Sequence, residues 1–113
     1  MAINAEKKVY EFYEAGVQHH RLKDVIDELY EEVELQLEKE PTNQYDATAI
    51  RITFGSIEQN GSVMIGYVPG KLSAEVTKFI DQAVLPICEV SRLSPEAKPW
   101  QQIMVKIYDD GEL

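Results

Sequence analysis

"EVELQLEKEPTNQYDATAIRITF", residues 32–54, holds two alternating segments separated by a knot of polar turn formers. In the first, Val33, Leu35 and Leu37 alternate with Glu34, Gln36 and Glu38; in the second, Ile50, Ile52 and Phe54 repeat the pattern. A period of two sends successive side chains to opposite faces, so each segment reads as a strand with one buried face. The knot between them, "EPTNQYDATAI" (residues 40–50), sets Asn43, Tyr45 and Asp46 directly against an apolar run.

The same reading extends outward. "KKVYEFYEAGV" is rich in β-formers and predicts a first strand ending near Gly16. In "HRLKDVIDELY" the residues Leu22, Val25, Ile26, Leu29 and Tyr30 fall at the spacing of one helical face, which predicts a helix over 20–30. Asn60-Gly61 tolerates positive φ and predicts a hairpin into "VMIGYV". A second helix is expected after Pro69-Gly70, with Ser73 as its cap and Leu72, Val76, Phe79, Ile80 and Ala83 on one face. "VLPICEVSRL" and "QIMVKIY" read as the last strands, joined through the Pro-bearing loop "SRLSPEAKPW". The order β-α-β-β-β-α-β-β disfavours a doubly wound parallel sheet. It suits a mainly β (α+β) fold: a small antiparallel barrel of about six strands, like an oligonucleotide-binding barrel, covered by two helices. Its expected core is Leu35, Leu37, Ile50, Ile52, Val76, Ile80, Ile103 and Val105.

Composition sets outer limits on function. A chain of 113 residues allows one domain, residues 1–113. Its single cysteine, Cys88, excludes a disulfide framework or cysteine metal cluster. Without an N-terminal apolar segment or a span-length apolar run, the expected location is cytoplasmic, with no membrane partner. The net charge of -9 argues against a protein that coats nucleic acid through phosphates. The acid is uneven: "EEVELQLEKE" reads as a solvated, Glu-rich face, which leaves Arg51, Lys71, Lys78, Arg92, Lys98 and Lys106 to meet any polyanion. There is no nucleophile elbow, phosphate-cradling glycine loop or H-E-x-x-H, so no enzyme activity and no cofactor are expected. His19 and His20 are adjacent and diverge, and no third ligand stands at metal spacing.

Glu40-Pro41, Asn43, Tyr45-Asp46, Ala49-Ile50 and then Gly66-Tyr67-Val68-Pro69, in that order, resemble the HIRAN domain. This module is found in front of DNA translocases and as a free-standing bacterial protein. "YEAGVQHH" also looks like that family's first strand, and the resemblance runs from about Tyr10 to Ala83. It implies a barrel-like module that captures the 3′-hydroxyl end of single-stranded DNA in repair or replication, serving a partner helicase or nuclease. It further implies that Tyr45 stacks on the terminal base and Asp46 receives the terminal hydroxyl, while His19, Gln18 and Tyr67 line the same concavity. Gln18 stands where DNA-binding members place a basic residue, and Gly70 where some place a lysine, so two cations are lost. By residue type alone, Asn43 and Asp46 brace a local turn, Tyr45 plugs the barrel end, His20 caps the first helix and Trp100 either stacks on a base or anchors its loop. The candidate nucleic-acid-binding residues are therefore Tyr45, Asp46, Asn43, His19, Gln18 and Tyr67, with Asn43 foremost a turn former. The alternative is a protein-interaction or regulatory module that keeps the fold without the ligand.

Overall fold

A computed structural model describes residues 8–16 and 21–111. Six strands form: β1 (Val9–Tyr13), β2 (Glu34–Lys39), β3 (Ile50–Ser56), β4 (Gly61–Tyr67), β5 (Pro86–Leu93) and β6 (Ile103–Asp109). Two α-helices interrupt them, α1 (Leu22–Val25) and α2 (Gly70–Gln82). The sheet order is β1-β6-β5-β2-β3-β4, and every pairing is antiparallel. This is the mainly β, OB-like architecture that the alternating segments predict.

β2 turns the sheet back on itself. Its first residues, Glu34 and Leu35, pair with β5, whereas Gln36 to Lys39 pair with β3. The two outer strands then approach each other at one point beyond β1, where Ala15 N–H donates to Tyr67 O (2.9 Å) and Tyr67 N–H returns to Ala15 O (3.0 Å). That bridge, together with Arg21 N–H donating to Met64 O (3.2 Å), brings the edges of the sheet together among the described residues.

Inward positions follow the period of two. Ile50, Ile52, Ile65, Val90, Val105 and Ile107 are fully enclosed, and α2 closes one end of the interior with Val76. Tyr10 meets Phe79 edge-on, ring centroids 5.3 Å apart, and its hydroxyl donates to Glu75 on α2 (2.7 Å). Of the expected core, Leu37 and Ile80 are only half buried and pack against its margin. Both flank the place where β2 leaves β5, so neither is covered on all sides.

Two local expectations are corrected. The first helix is a single α-turn running into a 3₁₀ turn at Ile26–Glu28, and Tyr30 stands 65% exposed instead of on a buried face. Val25 and Ile26 are β-branched and hold a helix weakly. Glu28 is drawn to the β3–β4 turn, where its carboxylate accepts from Ser56 Oγ (2.5 Å) and Ile57 N–H (3.0 Å). Those bonds, the Ser56 one foremost, hold its pKa below the usual carboxylate range. In α2, Pro69 occupies the N-cap and Ser73 lies a turn inside the helix, 1% exposed. The Ser73 hydroxyl is taken by the polar knot, so it caps nothing. The hairpin follows the sequence: Asn60 adopts φ 59° and Gly61 opens β4.

One polar group breaks the inward pattern. After Tyr10 and Phe12, the next inward side chain of that segment is Glu14, 3% exposed and without a hydrogen-bond partner among the described residues for either carboxyl oxygen. Gly66 faces it, and a Cβ there would lie 3.1 Å from Glu14 Cβ and 3.1 Å from Ala15 O. Burial pushes the Glu14 carboxyl well above the usual range, which favours the protonated form. Burial, and next the nearby Glu14, likewise push up the thiol of Cys88.

Candidate functional site

The knot is tied by its own side chains. Asn43 Oδ1 accepts from the backbone N–H of Tyr45 (2.8 Å) and of Asp46 (3.0 Å), while its amide donates to Glu40 Oε1 (3.1 Å). Asp46 repeats the device one step on: Oδ1 accepts from Thr48 N–H (2.8 Å) and Thr48 Oγ1 (2.7 Å). Its other oxygen, Oδ2, accepts from Ser73 Oγ in α2 (2.7 Å). Both are side chains that bond neighbouring backbone more readily than they join a helix or strand, which is why the sequence forms a turn here.

Glu40 anchors the other side. Its carboxylate accepts from Asn43, from Tyr67 OH (2.8 Å) and from Arg51 Nη1 (3.3 Å), linking the knot to β3 and β4. Backbone bonds from Glu40 N–H to Ala49 O (2.9 Å) and from Val68 N–H to Ile50 O (3.0 Å) complete the frame. Asn43 first, then Tyr67 and Arg51, hold the Glu40 carboxyl below its ordinary pKa; Thr48 first, then Ser73, do the same for Asp46.

With the polar groups turned inward, the ring of Tyr45 is left 90% exposed. It stands on the rim of an open concavity of about 420 Å³ whose walls also include Asn43, Asp46 and Tyr67 and whose apolar lining includes Ala15, Ala49 and Val68. Gly70 lies at its edge with nothing within 4 Å of the place a Cβ would occupy. The structure therefore gathers four of the named residues, Asn43, Tyr45, Asp46 and Tyr67, around one hollow. Gln18, His19 and the expected helix cap His20 lie outside the described residues. Trp100 lies elsewhere, half exposed in a 3₁₀ turn with Lys98 Nζ 5.6 Å from its ring centre.

A carboxylate offers about four acceptor positions. Thr48 takes both on Oδ1 of Asp46 and Ser73 one on Oδ2, which leaves one for an incoming donor. The pocket thus offers a flat ring, an apolar floor and one charged acceptor, and no described cation lines it. That arrangement suits a neutral, planar group carrying a hydroxyl more than it suits a phosphate.

Sequence reasoning missed Thr48 and Ser73 as braces of Asp46 and Glu40 as the hub below Tyr67. For Thr48 the signal was present, since Asp-x-Thr is the spacing of an Asx turn. Ser73 carried no such signal, because only the fold sets α2 against the knot.

Comparison with known proteins gives a consistent picture. The family model of the HIRAN domain matches residues 7–109. The crystal structure of the HIRAN domain of human HLTF is similar, with a TM-score of 0.63 and 14% identity, covering 88% of this chain and 74% of that one. No curated protein matches by sequence. Among the described residues, no helix is long and apolar enough to cross a membrane.

Proposed function

The chain belongs to the HIRAN domain family, and from that premise we propose that it binds the 3′-hydroxyl end of single-stranded DNA in the concavity beside the knot. The observation that carries the proposal is the pairing of an outward Tyr45 ring with an Asp46 carboxylate that keeps one acceptor position. A terminal base stacks on Tyr45 without regard to its identity. The sugar then lies on the apolar floor and its hydroxyl donates to Asp46 in a charge-assisted bond. A 3′-phosphate brings negative charge against that carboxylate and is rejected. Few phosphate contacts are needed, so a net charge of -9 is compatible with this mode of binding. Such a module fits a role in DNA repair or replication, holding a strand end for a helicase or nuclease.

One observation favours a second reading. Asp46 braces the turn and Asn43 spends its amide inside it, as they would in a module that keeps the fold for protein contacts. Fluorescence anisotropy with oligonucleotides ending in a 3′-hydroxyl or a 3′-phosphate separates the two. The wild type should prefer the hydroxyl end, and Asp46→Asn, which keeps the shape, should bind both ends alike while remaining folded. Equal binding by the wild type, or unfolding of Asp46→Asn, overturns the end-binding reading.

A further inference from the structure

A second hollow adjoins the first. It measures about 460 Å³, and Glu11, Tyr13, Pro69, Lys71 and Met104 are among its lining residues. The two hollows lie on either side of one stretch of chain: Val68 and Gly70 face the first, Pro69 and Lys71 the second. On the facing segment Ala15 lines the first and Tyr13 the second. The second hollow continues across the outer face of the sheet, because Tyr13 pairs with Met104 on β6 and Met104 pairs with Arg92 on β5. Directly opposed residues lie about 5 Å apart, so this row extends about 10 Å from β1.

The chemistry of the row differs from the acidic surface around it. Tyr13 is exposed, and Arg92 is exposed with its guanidinium 3.7 Å from the sulfur of Met104. Lys71 and Arg92, like Lys23, Lys78 and Lys98, have no ion-pair partner among the described residues, whereas Lys8, Arg21, Lys39, Arg51 and Lys106 are each held by a carboxylate; of the unpaired cations, Lys71 lines this hollow and Arg92 stands on the row that continues it. Glu11, the acid on this groove, accepts from Ser91 Oγ. Two unpaired cations with an aromatic ring and a thioether between them are the parts of a single-strand track: charge for the backbone, flat or soft surface for bases.

We infer that Lys71, Tyr13, Met104 and Arg92 form a track for the nucleotides that precede the strand end, with Lys71 and Arg92 on two separate phosphates and Tyr13 under a base. The inference rests on the end-binding reading for its direction, and it names what that pocket lacks, a cation. Lys71 stands one residue beyond Gly70 and supplies a positive charge in the hollow that adjoins the pocket.

Anisotropy titrations over a salt series test it, using a dinucleotide and a hexanucleotide of thymidine, each with 3′-hydroxyl and 3′-phosphate ends. The hexanucleotide should bind wild type more tightly, with a log–log salt slope of about 1.4 in magnitude from two phosphate contacts at about 0.7 each. Lys71→Ala and Arg92→Ala should each lower that slope by about 0.7. Tyr13→Ala should weaken the hexanucleotide roughly tenfold and spare the dinucleotide. All three side chains are at the surface, so circular dichroism should show the wild-type fold, and each variant should keep the preference for a hydroxyl end. Unchanged hexanucleotide affinity and slope in the variants overturn the track. Length and salt dependence without any end preference keep the track and overturn the end pocket, and a wild type that binds no oligonucleotide overturns both.

Discussion

Two loops of this protein each carry an exposed aromatic residue, and one of them sets its ring beside a concavity. The knot between β2 and β3 is tied by half-buried side chains, Asn43, Asp46 and Glu40, that reach backbone, α2 and β4. The loop between β5 and β6 is held instead by its own backbone, with Ser94 N–H to Gln102 O (2.7 Å), Ala97 N–H to Ser94 O (3.0 Å) and Gln101 N–H to Lys98 O (2.8 Å). Tyr45 projects beside a concavity with a charged acceptor, whereas Trp100, 51% exposed, has Lys98 for company. An exposed ring is common to both. What distinguishes the knot is a frame that consumes almost every polar group beneath the ring and leaves one acceptor pointing at the same space.

The comparison breaks first at Asn43. Asn43→Ala frees two backbone N–H groups and removes one donor from the Glu40 carboxylate, and should cost about 3 kcal/mol by urea unfolding together with the loss of oligonucleotide binding. Gln102→Ala, which removes one exposed bond to Pro95 O (2.9 Å), should cost less than about 0.5 kcal/mol. Equal costs would mean that the two loops are held alike. Binding sharpens the contrast next: Tyr45→Ala should weaken hydroxyl and phosphate ends equally, by about 1 to 3 kcal/mol, while Trp100→Ala has a smaller effect in the same titration.

The smallest effect is the pH dependence of stability, where knot and interior pull in opposite directions. Asp46 and Glu40 have lowered pKa values, so their contribution is present above about pH 4 and is lost as the pH falls through those lowered values. Glu14 has a raised value, so its contribution is full below about pH 4 and is lost as the pH rises through the folded-state value. Thermal unfolding across pH should show Asp46→Asn flattening the acid side and Glu14→Gln flattening the side above pH 4. If Glu14→Gln leaves that side unchanged, the carboxyl is not buried in its neutral form.

Most of the framework could be read in the chain because period-two alternation is a local signal. Ile50, Ile52, Ile103 and Val105 declare their inward faces without reference to anything distant, and all four are enclosed. The family resemblance, carried by Asn43, Tyr45-Asp46 and Gly66-Tyr67-Val68-Pro69, likewise named residues that the fold brings around one hollow. What was not legible depends on long-range packing. The first helix is cut short where Glu28 bonds Ser56, 28 residues later in sequence at the end of β3. Ser73 left its expected cap for a carboxylate on another element. Glu14 carried no signal of burial in the sequence, and only the fold shows that its turn in the alternation places it inside.

The short seam around the Ala15–Tyr67 bridge gives the domain a place to breathe. Elsewhere the sheet separates only by breaking ladders of several bonds, but at this seam the described backbone hydrogen bonds are few: the pair between Ala15 and Tyr67, 2.9 and 3.0 Å long, and Arg21 N–H to Met64 O at 3.2 Å. Local opening there is a low-energy excursion that leaves the core packed. The amides of Ala15 and Tyr67 should therefore exchange with deuterium well before those of the long β5–β6 ladder. Since Ala15 and Tyr67 both line the concavity beside the knot, an occupant would touch both sides of the seam at once. Slowed exchange at these two amides would then report occupancy through the backbone, without any label on the ligand.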